Sequence, residues 1–177
     1  YLEAARDLGF GLKIHADEIK AIGGSVLAGE LGATSAEHLI VCPPSGIASM
    51  AEGGTVACCL PATSFYLGAA YAPVQDMVQA GVPVAMATDF NPGSCPCLNM
   101  QLVISLGCLR YRLTPEQALT AVTLNGAAAI CRADRIGSIE PGKQADILIW
   151  NAEDLDYICY RLGSNLVDTV IKKGNVV

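Results

Sequence analysis

The chain has only two histidines, His15 and His38, and its 177 residues contain no Cys-x-x-Cys pair, no His-x-His and no lysine or arginine run. Charged residues make up 16% of the sequence, and the formal net charge is −6. A chain without a basic cluster is not built to grip a nucleic acid or an anionic membrane surface. No apolar run is long enough to span a bilayer, and no signal-peptide pattern is present. Internal repeats and low-complexity tracts are lacking too. These absences leave a small-molecule substrate open.

What the chain does have is apolar bulk. Hydrophobic residues reach 52%, enough for a sizeable core and against disorder. The length suits one ordinary domain but falls short of the roughly 250 residues of a complete (β/α)8 barrel. The first residue is Tyr1, not Met, and the opening stretch reads as the end of a helix. A fragment lacking its N-terminal part is the expectation. Eight cysteines lie mostly inside apolar segments, which reads as buried free thiols in a reducing cytoplasm. Cys95-Pro96-Cys97 is a weak signal for a metal or redox pair.

Strand-like and helix-like stretches alternate. Residues 11–16, 35–40, 55–60 and 82–88 read as strands, the third halted by Pro61. Residues 25–31 and 73–80 read as helices closed by Gly32 and Gly81, and Pro43-Pro44-Ser45 opens a helix to about Glu52 that stops at Gly53-Gly54. That rhythm implies a parallel sheet. Residues 98–109 are helical. Thr114-Pro115-Glu116-Gln117 predicts a capped start for a further helix through residue 131, with a break near Asn125-Gly126. From Gly137 the pattern turns to strands, at 145–150, 167–172 and 176–177. Lys173-Gly174-Asn175 is a plausible hairpin turn between the last two. A first domain over residues 1–136 and part of a small β domain over 137–177 are expected.

Three strand ends carry chemistry: His15 with Asp17 and Glu18 just after it, His38 after Glu37, and Asp89 after Thr88. Taken singly, each has an ordinary alternative: a turn histidine, a core histidine, a helix-capping aspartate. The conjunction matters more, because parallel strands present their C-terminal ends at one mouth. A bound cation lowers the pKa of water to near neutrality and polarises a carbonyl. A nearby carboxylate takes the proton and returns it to a leaving nitrogen. An imidazole can stabilise the developing oxyanion. His15 and Asp89 supply two metal ligands. His38 is either a third ligand or the electrophile, and the sequence alone does not complete the site.

The blocks His15-Ala16-Asp17-Glu18, Gly23-Gly24, Gly32 to Leu39, Ala87 to Ser94 and Gly142-Lys143-Gln144-Ala145-Asp146 together resemble the amidohydrolase superfamily, and within it the imidazolonepropionase family. Thr88-Asp89-Phe90-Asn91-Pro92-Gly93-Ser94 is the specific block. The resemblance implies an α/β fold comprising the C-terminal half of a (β/α)8 TIM-type barrel, strands 5–8, plus part of a small composite β-sandwich domain. It implies a cytoplasmic hydrolase of histidine degradation that opens the ring of 4-imidazolone-5-propanoate to N-formimidoyl-L-glutamate. One Zn2+ or Fe3+ ion is implied as cofactor, held here by His15 and Asp89. Asp89, Glu18 and His38 match the catalytic groups; Glu18, His38, Thr88, Asn91 and Gly93 match the substrate contacts. A small-molecule substrate, no nucleic acid, no membrane and a homodimer at full length are the implied partners. The family's first-strand His-x-His is missing from these residues, so the fragment alone is expected to be inactive. Two further readings stay open: another amidohydrolase, such as a ring deaminase, and a non-catalytic half-barrel scaffold.

Overall fold

The computed structural model describes all 177 residues. Four strands form one parallel sheet in sequence order: β1 (Lys13–Ala16), β2 (Ser35–His38), β3 (Val56–Cys59) and β4 (Val84–Met86). Helix α1 (Leu2–Asp7) precedes β1. Between the strands run α2 (Gly24–Glu30), α3 (Pro44–Gly53), α4 (Pro61–Leu67) and α5 (Val74–Gln79). Three helices follow β4: α6 (Met100–Tyr111), α7 (Pro115–Val122) and α8 (Leu124–Ala129). A second, antiparallel sheet holds β5 (Ile147–Trp150), β6 (Val167–Lys172) and β7 (Asn175–Val176), with α9 (Leu155–Tyr160) between β5 and β6.

All four parallel strands lie where the sequence places them, each shorter than expected. β2 stops at His38 rather than residue 40, because His38 (φ 70°) and Leu39 (φ 60°) both enter the left-handed region. Pro61 does more than halt β3. It occupies the first turn of α4, where its missing N–H costs nothing. The helix break expected at Asn125-Gly126 lies earlier, at Thr123 (φ −115°, ψ −85°). There the Thr123 hydroxyl donates back to the Leu119 carbonyl at 2.7 Å, and the Asn125 amide reaches the Val84 carbonyl of β4 at 2.8 Å. Helix α9 has no clear signal in the sequence. It is only six residues long and starts on an Asp154 cap that accepts from Tyr157 N at 2.8 Å. The capping box at Thr114 and Gln117 is present with both of its bonds.

The strand register sorts side chains onto two faces. Ile14, Ala36, Ala57 and Val84 share one face; the last three join Ala16, Cys59 and Met86 in a 27-residue core with the helices, and Ile14 packs against it. Helices α2 and α3 pack there with their backbones in close approach. A Cβ on Gly29 would meet the Ser49 carbonyl at 2.2 Å, so only glycine fits. The opposite face carries the rows Lys13–Ser35–Val56 and His15–Glu37–Cys58–Ala85. Its small apolar cluster (Val56, Cys58, Leu60, Ala85) is closed by Ala128 and Ala129 of α8.

The buried side chain of Gln101 on α6 stitches the C-terminal region to these layers. Its amide nitrogen donates to the carbonyls of Ile158 (3.2 Å) and Arg161 (3.4 Å), and its oxygen accepts from Leu166 N (2.9 Å). In the β6–β7 hairpin, Lys173 (φ 51°) and Gly174 (φ 80°) form the two-residue, doubly left-handed turn that matches strand twist. Asp146 anchors this turn. It accepts from the Lys172 ammonium at 2.5 Å and from Lys173 N at 2.9 Å, and those donors pull its pKa down to about 2. A depressed carboxylate contributes order above its unfolded value of 3.8 and loses it as pH falls toward 2. Amide exchange at Lys173 should therefore show protection, relative to the intrinsic rate, that is lost as pH falls from 3.8 to about 2. Asp146→Asn should remove the same protection at neutral pH.

Candidate active site

The C-terminal ends of β1, β2 and β4 share one rim of the parallel sheet, and four non-glycine residues there have positive φ: Asp17 (46°), His38 (70°), Leu39 (60°) and Asp89 (55°). L-residues rarely adopt that backbone, and a run of such residues marks a site held under strain. At His38 the turn has a direct consequence. Strand alternation would send its side chain to the helix-covered face with Ala16, its register partner. Instead its imidazole packs against that of His15, ring centroids 4.9 Å apart and tilted by 35°. Leu39 N bonds to the Ala16 carbonyl at 3.1 Å, and Val41 N to the Asp17 carbonyl at 2.9 Å, so the two strand ends turn together.

His38 is 5% exposed, and its Nδ1 is a buried nitrogen with no hydrogen-bond partner. Glu18 Oε1 stands 3.4 Å away, out of hydrogen-bond alignment. A buried polar atom left unpaired is costly unless something else completes it. His15 lies beside it on the open face of the sheet and is exposed.

The loop carrying Glu18 is fixed from below by Asp17, which is 3% exposed. Its Oδ1 accepts from Ile22 N (3.1 Å) and Gly24 N (3.2 Å), and its Oδ2 accepts from Ser25 N (3.1 Å) and the Ser25 hydroxyl. Burial by itself pushes this carboxyl up. The Ser25 hydroxyl and the three N–H groups outweigh burial and hold it below the ordinary carboxylate value. By sequence Asp17 is merely a neighbour of Glu18; in the fold it is the peg on which the loop and the start of α2 hang.

Asp89 sits three residues past β4, half-buried. The Thr63 hydroxyl donates to its Oδ2 at 2.6 Å. The next loop is shaped by Asn91, whose amide donates to the Asp89 carbonyl (2.8 Å). Asn91 Oδ1 accepts from Gly93 N (2.9 Å), Ser94 N (2.7 Å) and Ser94 Oγ (3.1 Å). The Thr88 hydroxyl accepts from Phe90 N at 3.3 Å, and the buried Cys95 thiol donates to the Thr88 carbonyl at 3.1 Å. The Asn91 side chain is thus largely committed to the turn that presents Gly93.

One step below the rim, the Lys13 ammonium meets Glu37 Oε1 at 2.9 Å, the Ser35 hydroxyl, and the Ala129 carbonyl of α8 at 2.9 Å. Glu37 is the register partner of His15. Sequence reasoning finds neither this network nor Thr63. Thr63 contacts Asp89 across 26 positions, and no local pattern signals that pairing. Cys58, beside Glu37, has its thiol pushed up to about 11 by burial and then by Glu37, which makes it a poor nucleophile at neutral pH.

The two imidazoles meet. Asp89 shares their rim but does not join them, and no three His, Cys, Asp or Glu side chains converge to hold an ion among these residues. The sheet order explains this: β4 and β1 are opposite edges, three spacings of about 4.8 Å apart. The donors themselves, two imidazoles and a carboxylate, are of the type that binds Zn2+ or iron. An orphaned buried histidine nitrogen and a carboxylate with Oδ1 free of protein donors fit such an ion, as an incomplete set.

A sequence profile of the amidohydrolase family matches residues 1–177, and the chain belongs to that family. Among curated proteins it is 55% identical, over 99% of its length, to the imidazolonepropionase of Alkaliphilus oremlandii, and 50% identical to that of Streptococcus sanguinis. The chain spans 42% of the length of each of these relatives. Among solved structures, an adenosine deaminase from Xanthomonas campestris with bound zinc superposes with a TM-score of 0.84 at 26% identity, over 98% of this chain and 46% of that one. A zinc-complexed atrazine chlorohydrolase from Arthrobacter aurescens gives a TM-score of 0.80 at 21% identity, over 99% of this chain and 46% of its own, and speaks for the fold alone. No helix is long and apolar enough to cross a membrane.

Because Asp17 makes its bonds as a buried charge, Asp17→Asn, which keeps the shape but loses acceptors, should cost about 2 kcal/mol. Urea unfolding at pH 7 should show this as a lower midpoint with an unchanged slope. Ser25→Ala should cost less, about 1 kcal/mol.

Proposed function

We propose that the chain is the C-terminal part of an imidazolonepropionase-type hydrolase that adds water to 4-imidazolone-5-propanoate and yields N-formimidoyl-L-glutamate. The observation that carries this reading is identity of about one half, over nearly the whole chain, to proteins of that name. In this reading the parallel sheet is one half of an eight-stranded barrel, strands 5–8, over residues 1–136. Residues 137–177 belong to the small β-sandwich domain. Further ligands come from the part of the polypeptide that the relatives have beyond this segment. The deaminase alternative is supported only by a likeness of 26% identity, and an ammonia-release assay separates it.

His15 and Asp89 would hold one Zn2+ or Fe3+ ion, with His38 beside His15. When bound, such an ion supplies Lewis-acid polarisation and acidifies water. The rest falls to side chains. Asp89 takes the proton of the attacking water as the new C–O bond forms at the ring carbonyl carbon. The His38 imidazole donates a hydrogen bond to the oxygen on which negative charge develops. As the ring C–N bond breaks, Asp89 or Glu18 delivers a proton to the departing nitrogen. Thr88, Asn91 and Gly93 border the substrate, Asn91 acting chiefly by setting the loop. A cytoplasmic homodimer is the expected form of the intact enzyme, supported by its kinship alone.

In the intact polypeptide, Asp89→Ala should lower turnover to background and weaken metal binding, and Glu18→Gln should act mainly on kcat. Steady-state kinetics with metal analysis reads both, and an Asp89→Ala enzyme unchanged in both respects would overturn the assignment. The 177-residue segment by itself should bind Zn2+ weakly and show no turnover. Imidazolonepropanoate hydrolysis by that segment alone would refute the need for further ligands.

A further inference from the structure

We propose that Thr63 is a positioning residue for Asp89: its hydroxyl pins Oδ2 and so presents Oδ1 to an ion. The inference rests on the metal-centre reading above, and it concerns a residue whose role follows from no motif in the chain.

A helical threonine ordinarily bonds its hydroxyl to the carbonyl one turn back. Two threonines in this chain do so: Thr120 donates to the Glu116 carbonyl at 2.8 Å and Thr123 to the Leu119 carbonyl at 2.7 Å. Thr63, in the first turn of α4 and 1% exposed, does not. Its proton goes to the carboxylate of Asp89, and 2.6 Å is the length of a charge-assisted O–H···O bond.

Asp89 needs such a tether. With φ 55° it has left the extended backbone that would aim its side chain by strand alternation. The Asn91 amide holds its carbonyl oxygen, which fixes the main chain. Thr63 fixes the carboxylate. With one oxygen engaged from the buried side, the other has no protein donor and is the one left to serve a cation. Support of this kind for a metal-bound carboxylate is typically worth about 10–100-fold in metal affinity.

The test uses the intact polypeptide, stripped of metal and titrated with Zn2+ against a competing chelator. Thr63→Val keeps the shape and removes the hydroxyl, and it should weaken zinc binding about tenfold or more. Thr63→Ser restores the hydroxyl and should return the affinity to within about threefold of the parent. If the valine variant does not fold, as judged by melting of the metal-free protein, Thr63→Ala is read in its place. Zinc affinity unchanged in the valine or alanine variant would overturn the proposal. So would serine and valine variants weakened alike, which would assign the effect to packing, or a parent that binds no zinc at all. Turnover of imidazolonepropanoate is measured separately. A parent that binds zinc but leaves that ring intact ends the substrate assignment, while the zinc affinities of the Thr63 variants still decide the positioning role.

Discussion

A left-handed backbone at the ends of the parallel strands is the constraint on which the rest of this rim depends. Asp17, His38 and Asp89 each adopt it, and Leu39 follows His38. Each such residue costs about 1–2 kcal/mol relative to an ordinary conformation. The surroundings offset that cost separately at each position. Asp17 receives four donors from the loop after β1 and the start of α2. His38 is held by its ring contact with His15 and by the bond from Leu39 N to the Ala16 carbonyl. Asp89 has Thr63 on its carboxylate and Asn91 on its carbonyl. Only β3 ends without a strained polar residue. It runs through Leu60 into Pro61 and α4, and its contribution to the rim is Thr63. Three strands thus present reactive groups, and the fourth presents the group that aims one of them.

The two faces of the sheet divide the work. The helix-covered face is an apolar core with backbone contacts too close for any residue but glycine at position 29. The other face carries Glu37 beside His15 and, one row below, Lys13 and Ser35. A carboxylate beside His15 would compete for a cation or a proton if left free. With Lys13 at 2.9 Å and the Ser35 hydroxyl on the same oxygen, Glu37 is an engaged acceptor. The same ammonium bonds the Ala129 carbonyl, so α8, 116 positions along the chain from Lys13, closes the floor under the site. The charges of the lower layer are satisfied among themselves, and at the rim His38 Nδ1 is left without a partner.

The strand order, the rim and the pairing of the two histidines were legible because parallel β/α units announce themselves: an apolar run, a polar residue at its end, glycine or proline, then a helix. The capping box at Thr114 and the Lys173-Gly174 turn were legible for the same local reason, that the residues fix the backbone themselves. What escaped reading was either ambiguous or distant. Pro61 serves equally to end a strand and to begin a helix, and the choice hides Thr63. The helix break moved to Thr123 because Asn125 is drawn to β4, a tertiary contact that outweighs a glycine's weakness. Lys13 and Glu37 look, along the chain, like interruptions of strands. Their pairing across neighbouring strands, and the use of Asp17 as a peg, exist only once the chain is folded.

The placement of Asp89 relative to the histidines follows from sheet geometry. β1 and β4 are the two edges of a four-stranded sheet, and a carboxylate past one edge cannot close a coordination sphere with an imidazole on the other unless the sheet curves round. Metal affinity depends on the number of donors brought together, and catalytic zinc sites draw three or more from the protein. His15 stands exposed on the open face while His38 beside it is buried. In the proposed barrel that open face becomes the lumen, and curvature brings the Asp89 loop round to face the imidazoles across it. At Asp89 the strained backbone would then be matched by a ligand bond as well as by local hydrogen bonds. The contacts that shape the preformed part of the site, two adjoining imidazoles and a pinned carboxylate, lie within these 177 residues: Leu39 N on the Ala16 carbonyl turns β2 beside β1, and Thr63 and Asn91 hold Asp89.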